Sequence, residues 1–203
     1  MGKLKVLIGC ESSGTIRQAF RDLGHDAWSL DLLPADDNSP FHIQDDVMNH
    51  LEDGWDLAVF HPECTHICVS GARWFPQKIA DGSQQASIDF FMKLVNAPIP
   101  KIAIENPIGI MSSRYRKPDC VVQPWWFGDP AFKATCFWLK NLPPLFATDK
   151  LTPPAKRTDE HKGWSAIHRA PPGPDRWKIR SKSFPGMAKA IAEQWGESAG
   201  TIG

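Results

Sequence analysis

The sequence predicts an α/β fold, a mostly parallel sheet with helices on both faces. Short apolar, β-branched runs recur through the first 105 residues, helical periodicity fills the stretches between them, and acidic or reactive residues stand where the runs end. Alternation of this kind is the pattern of crossover units, whose ligands gather at the carboxyl ends of the strands.

The elements follow in order. Lys3 to Gly9 reads as a strand, Cys10-Glu11-Ser12-Ser13-Gly14 as a loop, and Thr15 to Leu23 as a helix with apolar residues at helical spacing, closed by Gly24. Asp26 to Leu32 is a second strand, with Asp31 near its end. His42 to Asp46 offers a third, and Leu57 to Phe60 another after the Asp53-Gly54 turn. Ser83 to Val95 is helical, and Lys101 to Ile104 is a strand running into Glu105-Asn106-Pro107. Beyond Pro118 the rhythm changes. Phe132 to Leu139 resembles one more strand, residues 143 to 185 hold eight of the eighteen prolines and are expected to be extended or loop-like, and Pro185 to Trp195 closes with a helix.

A length of 203 residues suits one domain spanning 1–203. Hydrophobic residues at 42%, charged residues at 23% and nine Trp exclude a disordered, collagenous or coiled-coil chain. No apolar run approaches the length of a membrane span, so no membrane partner is expected. Five cysteines at 10, 64, 68, 120 and 136, without an export signal, read as reduced thiols in a cytoplasm. The zero net charge conceals an asymmetry: residues 1 to 100 carry seven Lys/Arg against fourteen Asp/Glu, and the remainder sixteen against nine. The basic half suits phosphates, or pairs with the acidic half. The stretch 150–182 is the most basic, with nine Lys and Arg.

The densest reactive stretch is His61-Pro62-Glu63-Cys64-Thr65-His66-Ile67-Cys68. Its spacing matches no usual zinc site, and no metal is expected. His61-x-Glu63 imitates half of the zinc-deaminase signature, but the Pro-Cys-x-x-Cys half is missing. Two readings stay open for Cys64, a packed thiol or a nucleophile aimed into a cleft from a Pro-flanked loop. Glu105 favours the second. A carboxylate directly after Ile102-Ala103-Ile104 is costly inside a sheet and natural at its rim or in a site. Thiolate addition to C6 of a pyrimidine makes C5 nucleophilic if an acid near N3 takes up the ring's developing charge, so this pair suits pyrimidine chemistry. At the other strand ends, Gly9 and Gly14 bracket a loop at a helix N-terminus, and Asp31 and Asp46 are placed either as ligand-binding carboxylates or as ordinary turn and cap acids.

In these residues the chain resembles the S-adenosylmethionine-dependent DNA cytosine-5 methyltransferases, in particular the short phage and prophage forms. Leu7 to Gly14 is similar to the family's cofactor loop, Asp31-Leu32 to the pair holding ribose and adenine, and Asp46-Val47 to the acid receiving the adenine amino group. Pro62-Glu63-Cys64-Thr65 is similar to Pro-Pro-Cys-Gln, Glu105-Asn106-Pro107 to Glu-Asn-Val, Phe127 to Lys133 to Tyr-Gly-Val-Pro-Gln-x-Arg, and Ser183 to Trp195 to the closing motif. The resemblance implies a Rossmann-like methyltransferase fold and methyl transfer from S-adenosylmethionine to C5 of cytosine in duplex or single-stranded DNA, with S-adenosylhomocysteine as product. It implies Cys64, Glu105 and Lys133 as catalytic residues, and Gly9, Cys10, Glu11, Gly14, Asp31, Leu32 and Asp46 around the cofactor. It also implies a cytoplasmic protein of a bacterial host cell.

Three departures from the family pattern stand out. Glu63 replaces a proline, and an anion beside Cys64 would raise the thiol pKa. Lys133 replaces an arginine, losing the planar fork. Only 37 residues separate Leu145 from Ser183, so the Pro-rich basic segment at 143–183 stands where typical members insert a recognition domain. The rival readings are therefore a free pyrimidine nucleotide as substrate, DNA presented by a partner protein, a degenerate binding protein, or a thiol hydrolase using Cys64 with His61 or His66.

Overall fold

The computed structural model describes residues 2–171, 173, 180–181 and 183–197. Seven strands form one sheet: β1 Lys5–Gly9, β2 Asp26–Asp31, β3 His42–Gln44, β4 Leu57–Phe60, β5 Lys101–Pro107, β6 Cys120–Val122 and β7 Thr135–Lys140. Their order is β3-β2-β1-β4-β5-β7-β6. β1 to β5 pair in parallel, while β7 runs antiparallel between β5 and β6. The helices are α1 Thr15–Asp22, α2 Phe75–Ala80, α3 Ser83–Val95, α4 Met111–Arg114, α5 Asp159–Trp164, α6 Ala166–Arg169 and α7 Pro185–Glu197. The expected α/β, Rossmann-like architecture is present.

Alternation within each strand explains why both faces are covered. Val6, Ile8, Leu57, Val59, Ala103 and Phe137 point to one side, where α1 and α7 bring Ile16, Phe20, Ile191 and Trp195. Leu7, Ala58, Phe60, Ile102, Ile104 and Trp138 point to the other, against Phe91 and Leu94 of α3. A strand buried on both faces has no polar stripe, which is why these runs look continuously apolar. The helix α7 lies against α1, beside the loop that follows β1. Its first turn is held by Asp129, whose carboxylate accepts the N–H groups of Gly186 at 3.3 Å and Met187 at 3.0 Å.

That seating has no room for a side chain at position 186, where a Cβ would lie 1.9 Å from the Phe127 carbonyl oxygen. Gly186→Ala is expected to lower stability by about 2–3 kcal/mol, the cost of forced overpacking against backbone, measurable by urea denaturation with unchanged far-UV circular dichroism.

The segment from 143 departs from expectation. Residues 143–151 are extended but bound to the body of the protein: Trp195 Nε1 donates to the Pro143 carbonyl at 2.9 Å, Gln194 brackets Phe146, and Leu151 N–H reaches the Trp125 carbonyl at 2.9 Å. Further on the chain is helical, forming α5 and α6. Thr158 caps α5 by accepting the His161 N–H at 3.2 Å, and Asp159 and Glu160 fill its first turn, favourable charges for a helix N-terminus. Proline density masked that local signal. The basic and proline content at 172, 174–179 and 182 lies outside the described residues. β6, α2 and α4 were not expected either, being only three to six residues long. Among the described residues no helix is long and apolar enough to cross a membrane.

Candidate active site at the carboxyl ends of the strands

The crossovers reverse direction between β1 and β4, which opens a crevice above their carboxyl ends, the usual ligand position in such sheets. Two loops meet there. The first loop, which carries Cys64, leaves β4 at His61, whose backbone N–H donates to the Gly9 carbonyl at 2.9 Å. At Cys64 it turns, with Ile67 and Cys68 N–H groups donating back to the Cys64 carbonyl at 3.1 and 2.9 Å. Opposite runs the chain after β5. Val69 N–H donates to the Ile108 carbonyl at 3.1 Å, Ile110 N–H to the Ile67 carbonyl at 2.9 Å, and Asn106 Nδ2 to the Pro62 carbonyl at 2.9 Å. The two segments are thereby laced together.

This lacing brings Cys64 and Glu105 to one place. The Cys64 thiol is pushed up by its hydrogen bond to Cys68, by burial and by the Glu105 charge, with Arg180 acting in the opposite sense. Cys68 is held down by that same hydrogen bond from Cys64, with Ser70 and Arg180 assisting against burial; its sulfur lies 3.1 Å from Ser70 Oγ. Burial pushes the Glu105 carboxyl up, but the His61 contact and the charges of Lys133 and His61 outweigh it and hold the group below its usual value. Lys133 therefore stands beside Glu105, and its ammonium also lies 5.9 Å from the Phe184 ring centre.

Glu63 does not act as expected. Its side chain is exposed and accepts the Thr65 hydroxyl at 2.6 Å, so its charge is spent in solvent, and Glu105 rather than Glu63 bears on the thiol.

The acidic side of the crevice gathers Cys10, Asp31 and Asp46 at the ends of β1 and β2 and just beyond β3. Cys10 takes a left-handed backbone with φ of 60°. Burial, then the charges of Asp31 and Asp46, push its thiol up to about 12. Asp31 Oδ1 accepts the Leu33 N–H at 2.9 Å, and Asp46 Oδ1 accepts the Met48 N–H at 2.9 Å as the cap of a short 3₁₀ turn. Both acids have the turn and cap roles that were the alternative reading, while their charges still converge on Cys10. Leu32 is 71% exposed, an apolar side chain at the rim without cover from the described residues. Gly9 has a packing reason to be glycine, since a Cβ would lie 2.5 Å from the Phe60 ring. Gly14 is left-handed, with φ of 70°, and a Cβ there would lie 2.2 Å from the Arg17 guanidinium.

Glu11 is only 6% exposed. One of its oxygens accepts the Ser13 hydroxyl at 2.5 Å and the Thr15 N–H at 3.1 Å, capping α1. The other is buried without a partner among the described residues. A buried, unfilled carboxylate oxygen is costly unless a donor arrives, and an ammonium group is the donor such an oxygen suits. With the acids at the ends of β2 and β3 and the apolar rim at Leu32, this donor set fits S-adenosylmethionine, which offers an ammonium, a ribose and an adenine.

Sequence reading missed two residues of this site, Gly109 and Arg180, and one contact, His61 with Glu105. A Cβ on Gly109 would lie 2.4 Å from the Ile67 carbonyl oxygen. Gly109→Ala is expected to force the laced loops apart and speed maleimide labelling of Cys64 by about tenfold, read by mass mapping, since local opening governs access to buried groups. Arg180, from the basic segment, donates to Ser70 Oγ at 3.4 Å. Among the described residues no group of three His, Cys, Asp or Glu is placed to hold a metal ion.

No protein-family profile matches the chain, and no curated protein matches it. Among solved structures it is similar to a crystal structure of an E. coli protein provisionally described as a DNA modification methyltransferase encoded within a prophage. The identity is 17% and the TM-score 0.47, over 68% of this chain and 46% of the other. The present chain thus spans less than half the length of that structure.

Proposed function

We propose that this protein transfers a methyl group from S-adenosylmethionine to C5 of cytosine in DNA. The observation that carries the reading is that Cys64 and Glu105 follow the paired strands β4 and β5 on two segments laced together by backbone hydrogen bonds. Glu11, Asp31, Leu32 and Asp46 would hold the cofactor, which when bound supplies an electrophilic methyl group.

The rest follows from the chain's own groups. The extruded base enters above the strand ends, paying a modest unstacking cost. Cys64 gives its proton to solvent, the Arg180 charge assisting, and its sulfur bonds to C6. The C5–C6 π pair moves into the ring, N3 takes up a proton by way of Glu105, and C5 becomes nucleophilic. Once C5 carries the methyl, loss of its proton restores the double bond and expels the thiolate. Lys133 keeps Glu105 ionised and so hydrogen-bond accepting between turnovers. Arg180 favours sulfur in its anionic form.

Trapping on DNA containing 5-fluorocytosine, with cofactor present, tests nucleophile and chemistry together. Fluorine blocks the final elimination, so the expected product is a covalent protein–DNA species mapped to Cys64. Parallel labelled-methyl assays on duplex DNA, single-stranded DNA and dCMP identify the substrate. Transfer to dCMP alone would replace DNA by a free nucleotide, and cofactor binding with no transfer to any of them would mark a degenerate binding protein. Activity without S-adenosylmethionine would point to thiol hydrolysis.

A further inference from the structure

Resting on that reading, we infer that His61 is a positioning residue that supplies, through Glu105, the proton taken up at the pyrimidine N3.

The placement begins in the sheet. β4 and β5 pair in parallel with Phe60 opposite Ile104, so the next pair in register is His61 and Glu105. Both follow the alternation of Val59 and Ala103, on the face covered by α1 and α7. Their side chains meet there: His61 Nδ1 lies 3.5 Å from Glu105 Oε2, with the two side chains only 15% and 12% exposed. The other imidazole nitrogen, Nε2, is buried without a partner among the described residues. An imidazole with one nitrogen on a carboxylate and the other unclaimed can take a proton at one edge and pass it on at the other.

The chemistry calls for such a group. Addition of sulfur to C6 makes N3 more basic, and N3 must gain a proton or a strong hydrogen bond at that moment. Glu105 is held ionised by its neighbours and has no proton of its own to give. Of the groups that face it, Lys133 carries charge from the loop before β7, while the Cys64 and Cys136 thiols are both pushed up by the Glu105 charge. His61 is the neighbour whose ring can carry a proton on either nitrogen. In the step, His61 in its doubly protonated form gives the Nδ1 proton to Glu105 Oε2, and the carboxylic acid so formed hands that proton on to N3. His61 becomes neutral and the carboxylate is unchanged. When the thiolate departs, the N3 proton returns by the same route, so no proton is gained or lost over the cycle.

Two measurements on His61→Gln, which keeps a hydrogen-bonding side chain but cannot titrate, test this. With the side-chain carboxyl of Glu105 followed by 13C NMR, its titration midpoint is expected to rise in the variant; an unmoved midpoint overturns the pairing whether or not the protein methylates anything. In single-turnover transfer to cytosine-containing DNA, the rate is expected to fall about 10²-fold at neutral pH and to lose its alkaline limb. Adding Glu105→Gln should then cost little more. An equal loss at every pH, with costs that multiply in the double variant, would show a merely structural role and overturn the proposal. If the wild type forms no adduct and transfers no methyl group, the cytosine reading fails, and the NMR result still decides whether the two side chains share a proton.

Discussion

Cys64→Ser is expected to abolish covalent trapping on 5-fluorocytosine DNA and to lower methyl transfer by about 10⁴–10⁶-fold, the scale seen when a covalent nucleophile is removed. A hydroxyl has nearly the shape of a thiol but a far weaker nucleophilic form at neutral pH. Cofactor binding should survive, because the groups assigned to it lie on the loops after β1, β2 and β3, while Cys64 follows β4. Calorimetry should return a Kd within twofold of wild type. Cys68→Ser separates the two sulfurs: trapping at Cys64 is expected to persist, because Cys68 hydrogen-bonds the Cys64 thiol and pushes it up rather than taking its proton. Persistence of the adduct in Cys64→Ser and its loss in Cys68→Ser would reverse their roles.

The second large effect lies beneath the cofactor loop. Arg17 is fully buried, donates to Ser29 Oγ at 2.7 Å, and pairs with Asp37. Ser29 Oγ lies 2.8 Å from His42 Nδ1, and His42 Nε2 lies 2.9 Å from the Leu33 carbonyl. One guanidinium therefore ties α1, β2, β3 and the loop 32–39 into a single unit. Arg17→Ala opens a cavity and leaves Ser29 short of a donor. Asp37 is 43% exposed and regains water, so the cost is expected near 3 kcal/mol rather than that of a wholly buried pair. For 203 residues such a loss lowers Tm by roughly 6–12 °C. Calorimetric melting checks the value, and the same variant should bind S-adenosylmethionine at least tenfold more weakly, because the Asp31–Leu32 loop loses its anchor. Unchanged Tm and unchanged affinity together would show that the tie carries no strain or stability.

The parts of this molecule legible in the sequence are those set by local chemistry. The centres of β1, β4 and β5 are apolar because both faces are covered, and α1 and α3 carry clear helical spacing. Glu105 was conspicuous because a carboxylate cannot end such a run without a purpose. The parts that were hidden depend on long-range pairing. β6 is three residues long and exists only because β7 turns back along it. α5 and α6 lie in a proline-rich stretch, and their anchor, Trp164 against Phe132 at 5.4 Å between ring centres, joins positions 32 apart. Burial of Arg17 has no local signal, because nothing nearby in sequence announces that Ser29 and Asp37 will receive it. His61 was read with Cys64, its sequence neighbour, whereas the sheet pairs it with Glu105, 44 residues on.

The lacing between the loop that carries Cys64 and the chain after β5 has one more consequence. Thermal motion cannot carry Cys64 away from the chain after β5 without tearing the Val69–Ile108 and Ile110–Ile67 backbone bonds together. The two halves of the vise are a single casting. On the proposed reading, the work of adjustment falls on the guest, and the entropy of aligning attacker with acid is spent in folding.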